Sequence, residues 1–184
     1  MPRYIAFLRG INLGRRRLKM DDLRAAFEAR KFTNVATFIA SGNVLFDSPV
    51  RDARRLGQQI EQHLAATLGY PVDTFVRTRE EVAAIAAFLP FSPAEMAAPG
   101  HTSYCAFLHE PFDAARTQAF LACRTAVDDL RVEGREFYWL CRIKSNDSKL
   151  WTSPAMRALK LPTSSMRNLT TIRKLAAEYP VAGR

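Results

Sequence analysis

The sequence predicts an α+β protein made of two related halves, each a mainly antiparallel sheet with helices packed on it. Short segments in which apolar side chains alternate are separated by longer segments with helical spacing. The order strand, helix, strand, strand also occurs once in each half. Hydrophobic residues make up 48% of the chain and charged residues 24%, as in soluble globular proteins, so we expect a packed core.

The first half follows the order of a ferredoxin-like fold, βαββαβ. Apolar side chains alternate in the predicted strands, and a stripe stepping by three or four residues predicts the longest helix. The predicted elements are a strand at 4–8, a helix with Asp21 as its N-cap, two strands joined by the turn 41–43, a helix at 52–68 and a strand at 72–77.

The second half begins after a proline-rich stretch. Thr78 and Glu81 form a capping-box pair that opens a helix ending near residue 89, and prolines mark residues 90–102 as a linker. Beyond it we expect a strand at 103–109, a helix capped by Asp113, a hairpin turning at 133–135, a helix starting at Ser153-Pro154 and a last helix from Leu169. The predicted domains are 1–89 and 103–184, related in topology but without an obvious sequence repeat.

Positive charge is concentrated at the two ends of the chain. Residues 1–20 carry a net charge of +6 and residues 142–184 carry +7, whereas residues 21–141 carry −4, within a total of +9. If the ends meet in space, they form a directed positive surface, which suits an anionic ligand. The alternative is that these side chains are ordinary solvated cations scattered over the fold.

The segment 9–19 is the most specific candidate for a binding site. It joins a strand to a helix, contains Gly10 and Gly14, and holds five cationic side chains including Arg9 and Arg15. Backbone amides and cations together can bind a phosphate or a carboxylate. The segment lacks the third glycine of a dinucleotide-binding loop and the Gly-Lys-Ser/Thr ending of a P-loop, so neither motif is present. The alternative is an exposed turn.

Two further polar segments are candidates. Residues 41–43 are a Ser-Gly-Asn turn, and whether this turn shares a site with the segment 9–19 is left as a hypothesis. Residues 144–149 are a polar loop, and residues 164–168 precede the last helix. A helix N-terminus of this kind can hold an anion, although Ser165 or Asn168 acting as a plain helix cap is the stronger interpretation.

No catalytic or metal-binding constellation is visible. The three histidines have no metal-ligand spacing, and no nucleophile elbow occurs. Cys105, Cys123 and Cys141 are odd in number and lie in apolar segments, which indicates core thiols in a reducing compartment. No apolar run is long enough to span a membrane and no signal peptide is evident, so we expect a cytoplasmic protein without cofactor, metal or membrane partner.

Three ordered motifs resemble those of the bacterial domain-of-unknown-function family 1697. They are RGINLG at 9–14, SGNV at 41–44 and RNLTT at 167–171, and the resemblance covers nearly the whole chain. Leu169 stands where the family usually has tryptophan. The resemblance implies two ferredoxin-like subdomains and no established activity. It singles out Arg9, Gly10, Asn12, Gly14, Ser41, Gly42, Asn43, Ser148, Lys149, Arg167, Asn168 and Thr171 as ligand-binding candidates.

Three functions remain open at this point. The first is a basic cleft that binds a phosphate-bearing or polyanionic ligand, most plausibly nucleic acid. The second is a small-molecule enzyme or sensor that takes an anionic substrate between the two halves. The third is a partner-binding scaffold with Trp139 and Trp151 as exposed anchors. The sequence does not decide the ligand, the reaction or the oligomeric state.

Overall fold

The computed structural model of this chain describes residues 1–12, 18–39 and 42–181. Contacts divide the chain into two compact units. The first unit consists of Met1–Ala86 with Lys174–Arg184, and the second consists of Ala87–Arg173. Each unit contains a four-stranded antiparallel sheet, which confirms the predicted α+β class. None of the helices in the described ranges is long and apolar enough to cross a membrane.

The first unit has the predicted βαββαβ order. Its elements are β1 (Arg3–Leu8), α1 (Met20–Ala29), β2 (Thr33–Phe38), β3 (Asn43–Asp47), α2 (Ala53–Leu68) and β4 (Thr74–Thr78), after which the chain enters α3 (Arg79–Ala87). The strands lie in the order β2-β3-β1-β4, and each neighbouring pair is antiparallel. This is the ferredoxin-like arrangement, in which the first and third strands are central.

One face of this sheet packs on α1 and α2. The stripe predicted in α2 is buried, with Leu56, Ile60 and Leu64 each at most 2% exposed, because its spacing places them on one side of the helix. A Cβ atom at Gly57 would lie 3.0 Å from the Thr74 carbonyl oxygen, so the absence of a side chain lets α2 approach β4 closely.

The second unit repeats this arrangement. Its elements are α4 (Pro93–Ala97), β5 (Thr102–Phe107), α5 (Ala114–Leu121), β6 (Asp128–Glu133), β7 (Glu136–Cys141), a 3-10 helix (Leu150–Thr152), α6 (Pro154–Ala158) and β8 (Ser165–Asn168), followed by α7 (Leu169–Glu178). The strand order β6-β7-β5-β8 matches that of the first sheet. Helix α4 lies in the stretch predicted as a linker, and the boundaries 1–89, 90–102 and 103–184 stay a prediction.

Several predicted caps are present. Thr78 and Glu81 form the capping box reciprocally: the Thr78 amide donates to Glu81 Oε2 at 2.8 Å, and the Glu81 amide donates to Thr78 Oγ1 at 3.1 Å. Asp113 Oδ1 accepts from the Arg116 amide at 2.7 Å. These polar residues satisfy amides that a helix start leaves without an intrahelical partner, and their spacing therefore located the helices correctly.

One predicted cap was wrong, and one strand was not predicted. Helix α1 begins at Met20 with Lys19 in the N-cap position, so Asp21 lies inside the first turn, where its charge still favours the helix dipole. Residues 165–168, predicted only to precede the last helix, form β8, a strand paired with β5. Four residues are too few to show a clear alternation of apolar and polar side chains, and only pairing with β5 makes them a strand.

The sheet registers reveal a sequence repeat that sequence inspection missed. In both units the central strand pairs with two neighbours in the same order, and the two central strands read Tyr-Ile-Ala-Phe-Leu at 4–8 and Tyr-Cys-Ala-Phe-Leu at 104–108. Arg77 lies opposite Ile5 in the first sheet, and Arg167 lies opposite Cys105 in the second. The two halves are therefore repeats in sequence as well as in topology at these strands.

Candidate functional site

The end of the first sheet at which β1 finishes gathers three connections. Strands β1 and β2 are both antiparallel to β3 and so run in the same direction, whereas β4 is antiparallel to β1 and begins where β1 ends. The Leu8 amide donates to the Gly42 carbonyl at 2.8 Å, and the Arg9 amide donates to the Asp73 carbonyl at 2.9 Å. We call residues 8–12, 42–43 and 73 the loop end of the first unit.

Gly42 explains why the two loops meet. Its φ is 76°, and a Cβ atom there would lie 2.9 Å from Ile11 Cγ2 and 3.2 Å from Leu8 Cβ. Both neighbours are buried, so they have little room to move aside. The turn 41–43 and the segment 9–19 are thus in contact at residue 42, and a site shared by the two segments stays a prediction.

Arg9 is the exposed cation of the loop end. Its side chain is 56% exposed, and its Nη1 lies 3.3 Å from Oδ2 of Asp73, which is 42% exposed. Gly10 follows with a φ of 69°, a left-handed conformation that glycine adopts at little cost. The guanidinium group is thus accessible, and its ionic partner is in solvent as well.

The two asparagines predicted as ligands hold the loops together. Asn12 Oδ1 accepts from the Leu18 amide at 2.8 Å, and its Nδ2 donates to the Leu18 carbonyl at 3.4 Å, which ties the two ends of the connection 12–18. Asn43 is 1% exposed, and its Nδ2 donates to the Phe38 carbonyl at 3.1 Å. Gly14, Arg15 and Ser41, also predicted as site residues, lie outside the described residues.

The predicted residue Ser148 supports a buried carboxylate in the second unit. Asp128 is 1% exposed, and its Oδ1 accepts from Ser148 Oγ and from Trp139 Nε1, each at 2.8 Å. Thr125 Oγ1 donates to Asp128 Oδ2 at 2.8 Å. Burying a carboxylate is unfavourable unless donors surround it, so Ser148 has a structural function here. Lys149, the next residue, is exposed at the start of the 3-10 helix.

The remaining predicted residues lie on β8 and at the start of α7. Arg167 Nη1 donates to Ser165 Oγ and to the Met166 carbonyl, each at 2.9 Å. Burial lowers the pKa of Arg167 to about 10, so the guanidinium group remains protonated at neutral pH. Asn168 Oδ1 accepts from the Thr170 amide at 2.8 Å, as a helix-capping side chain does, and Thr171 is half-buried in the next turn.

The structure adds an arginine equivalent to Arg167 that the sequence did not single out. Arg77 on β4 is 2% exposed and occupies the position in the first sheet that Arg167 occupies in the second. The signal was the match between residues 4–8 and 104–108, because aligning these strands places the two arginines opposite equivalent residues. An arginine thus recurs at equivalent positions of the two edge strands, buried in the first sheet and half-buried in the second, as a property of the repeat.

Two other expectations bear on the choice of function. Trp139 is 4% exposed and its ring packs 5.4 Å from that of Trp151, so Trp139 belongs to the core and is not an exposed anchor. Across the described ranges, no group of three or more histidine, cysteine, aspartate or glutamate side chains is arranged to hold a metal ion.

Comparisons with known proteins identify the family. The solved structure of the conserved bacterial protein SP0830 from Streptococcus pneumoniae is similar over 97% of this chain and 98% of its own, with a TM-score of 0.73 and 21% sequence identity, and this likeness concerns the fold alone. No curated protein matches the sequence. The model of the protein family of unknown function DUF1697 matches residues 1–138, and the chain therefore belongs to that family.

Proposed function

We propose that this protein binds a phosphate-bearing ligand, either a small molecule or a polyanion such as nucleic acid, at the loop end of the first unit. The observation that carries the proposal is the accessible guanidinium group of Arg9, which is 56% exposed beside the left-handed Gly10. Arg9 also begins a segment in which Arg15, Arg16, Arg17 and Lys19 follow without an acidic residue. Cations and accessible backbone at one loop are what a phosphate group requires.

The ion pair with Asp73 does not prevent this binding. Both partners are substantially exposed, and ion pairs in solvent contribute only about 0–1 kcal/mol. A phosphate group that accepts two hydrogen bonds from the guanidinium fork competes well against such a pair. Asp73 is then a competitor that lowers affinity, and removing its charge strengthens binding.

The experiment uses fluorescence anisotropy with a labelled single-stranded oligonucleotide and with labelled ATP, at several salt concentrations. We expect Arg9→Gln to weaken binding about tenfold, the usual value of one charge-assisted contact, and Asp73→Asn to strengthen it several-fold. Arg131→Gln, at an exposed arginine of the second unit, serves as the charge-matched control and leaves affinity unchanged. Equal affinities for the native protein and Arg9→Gln would contradict the proposal.

The salt dependence separates a polymeric ligand from a small one. If about five phosphates are contacted, log affinity falls with log salt concentration at a slope of about −3.5 for the single-stranded oligonucleotide and about −4.5 for duplex DNA. A small ligand is detected by thermal shift with nucleotides, phosphosugars and acyl-coenzyme A compounds, because a ligand at 100 times its Kd adds about 2.7 kcal/mol of stability. Hits in that screen without binding of the oligonucleotide favour a small-molecule enzyme or sensor.

We also propose that the protein resides in the cytoplasm. The support is the state of its cysteines: Cys105 and Cys141 are buried thiols, Cys123 is half-buried, and none of the three forms a disulfide. Reduced thiols are typical of that compartment.

A further inference from the structure

A second basic surface lies at the opposite end of the first unit from the loop end. Helix α1 ends at Ala29 and is followed by Arg30 and Lys31, and Arg51 stands just before α2 begins. Both helix ends lie near the start of β1. Thr33, which follows the end of α1, pairs with Asp47, and Asp47 pairs with Arg3. On the side of α2, the Ser48 amide donates to the Pro2 carbonyl at 3.1 Å. We call residues 30, 31, 51, 54 and 55 the helix-end patch.

An aromatic cluster holds the two segments of the patch side by side. The ring of Phe32, the residue after Lys31, lies 4.5 Å from that of Phe46. The Phe46 ring in turn stacks on that of Tyr4, with their centroids 5.8 Å apart. The Tyr4 hydroxyl donates to the carbonyl of Val50, the residue before Arg51, at 2.9 Å. The positions of both segments are therefore fixed by the core beneath them.

The cations of the patch are exposed, and the segments that carry them contain few carboxylates. Arg30, Lys31, Arg51, Arg54 and Arg55 are all exposed, and the same segments contain only two acidic residues, Glu28 and Asp52. Asp52 is engaged as the N-cap of α2, where its Oδ1 accepts from two amides at 2.9 and 3.0 Å. Within the part of the chain that the structure describes, Arg30, Lys31, Arg51 and Arg55 form no ion pair.

We propose that the helix-end patch binds the phosphate backbone of a nucleic acid. Four of its five cations are arginines, whose planar forks match the oxygens of phosphate groups. Residues 28–31 and 51–55 include no aromatic side chain that would stack on a base, so the contact is with the backbone and is independent of base sequence. This proposal concerns a surface separate from the loop end and holds whether or not the loop end binds a ligand.

The test neutralises four cations of the patch and compares the result with a matched loss of charge elsewhere. The patch variant carries Arg30→Gln, Lys31→Gln, Arg51→Gln and Arg55→Gln. The control variant carries Arg131→Gln, Lys144→Gln, Arg157→Gln and Lys160→Gln, which are exposed residues of the second unit. The probe is a labelled duplex DNA of random sequence. Its affinity is measured by fluorescence anisotropy at salt concentrations from about 50 to about 200 mM, over which phosphate contacts change affinity strongly.

We expect the patch variant to reduce the steepness of the salt slope by about 3 and to weaken binding at low salt more than about 30-fold, as for four lost phosphate contacts. The control variant changes affinity less than about threefold, because its charges act only at long range. A third variant with Arg30→Lys, Arg51→Lys and Arg55→Lys keeps the slope and shows that charge, and not folding, carries the effect.

Three results would overturn this proposal. Equal losses in the patch and control variants would show that only net charge matters, and an unchanged slope in the patch variant would show that the patch makes no contact. Binding of poly-glutamate without binding of DNA would assign the patch to an acidic protein partner. Arg9→Gln, measured in the same assay, reports on the loop end independently, so the failure of one proposal is distinguishable from that of the other.

Discussion

At the end of the sheet where the central strand finishes, the two units share a backbone hydrogen bond but differ in the side chains of their loops. In the first unit the Leu8 amide donates to the Gly42 carbonyl at 2.8 Å, and in the second the Leu108 amide donates to the Arg135 carbonyl at 2.9 Å. The strand that leads into each bond has nearly the same sequence. The backbone contact that joins the first strand to the hairpin turn is thus kept in both units.

The loops attached to this contact differ. The first central strand is followed by Arg9 and Gly10, whereas the second is followed by His109 and Glu110. The hairpin connection covers residues 39–42 in the first unit and only 134–135 in the second. Hydrogen bonds and apolar strands preserve the fold, while the loops are free to change charge and length. Only the first loop has the composition of an anion site.

The largest expected effect distinguishes the two hairpin turns. Gly42→Ala places a Cβ atom on a residue with left-handed backbone, at 2.9 and 3.2 Å from buried side chains. We therefore expect it to lower the free energy of unfolding by about 2–4 kcal/mol. Gly134→Ala is the matched control, because its φ is 56° but its Cβ would meet nothing closer than 3.8 Å. Gly134→Ala should lower the free energy of unfolding by only about 1 kcal/mol. Urea unfolding measures both, and equal costs would refute the close contact at Gly42.

A smaller effect is expected at Asn12, which ties the ends of the first loop. Asn12→Ala removes both hydrogen bonds to Leu18 and should cost about 1 kcal/mol of stability. It should also speed trypsin cleavage between residues 12 and 18. Asp113→Ala, in the corresponding loop of the second unit, loses a helix cap at a similar cost of about 1 kcal/mol. Faster cleavage in both variants alike would indicate general destabilisation instead.

The smallest effect has the opposite sign. Ile39, in the longer hairpin connection, has a φ of 50° and is 53% exposed, although a β-branched residue is disfavoured in that conformation. Ile39→Gly relieves the strain and should raise the free energy of unfolding by about 0.5–1 kcal/mol, whereas Ile39→Val leaves it unchanged. A loss of stability in the glycine variant would mean that packing of Ile39 outweighs its backbone strain.

Most of the fold followed from local patterns. The stripe in α2, the capping box at Thr78 and Glu81 and the cap at Asp113 placed their elements correctly, because each depends on residues within about one helical turn. Strand β8 was missed because its strand character depends on pairing with β5, some 60 residues earlier in the chain. Ser148 was singled out by the family resemblance, whereas its hydrogen bond to the buried Asp128, 20 residues away in the chain, depends on the tertiary structure.

The sequence by itself determined most of the helices and strands, the caps at Thr78 and Asp113 and the family of this protein, since these depend on neighbouring residues and short motifs. Only the tertiary structure decided which charged side chains come together. The helix-end patch lies within residues 21–141, which carry a net charge of −4, and it forms because α1 and α2 bring Lys31 and Arg51 to the same end of one sheet. Net charge adds along a chain, but electrostatic potential depends on distance in space.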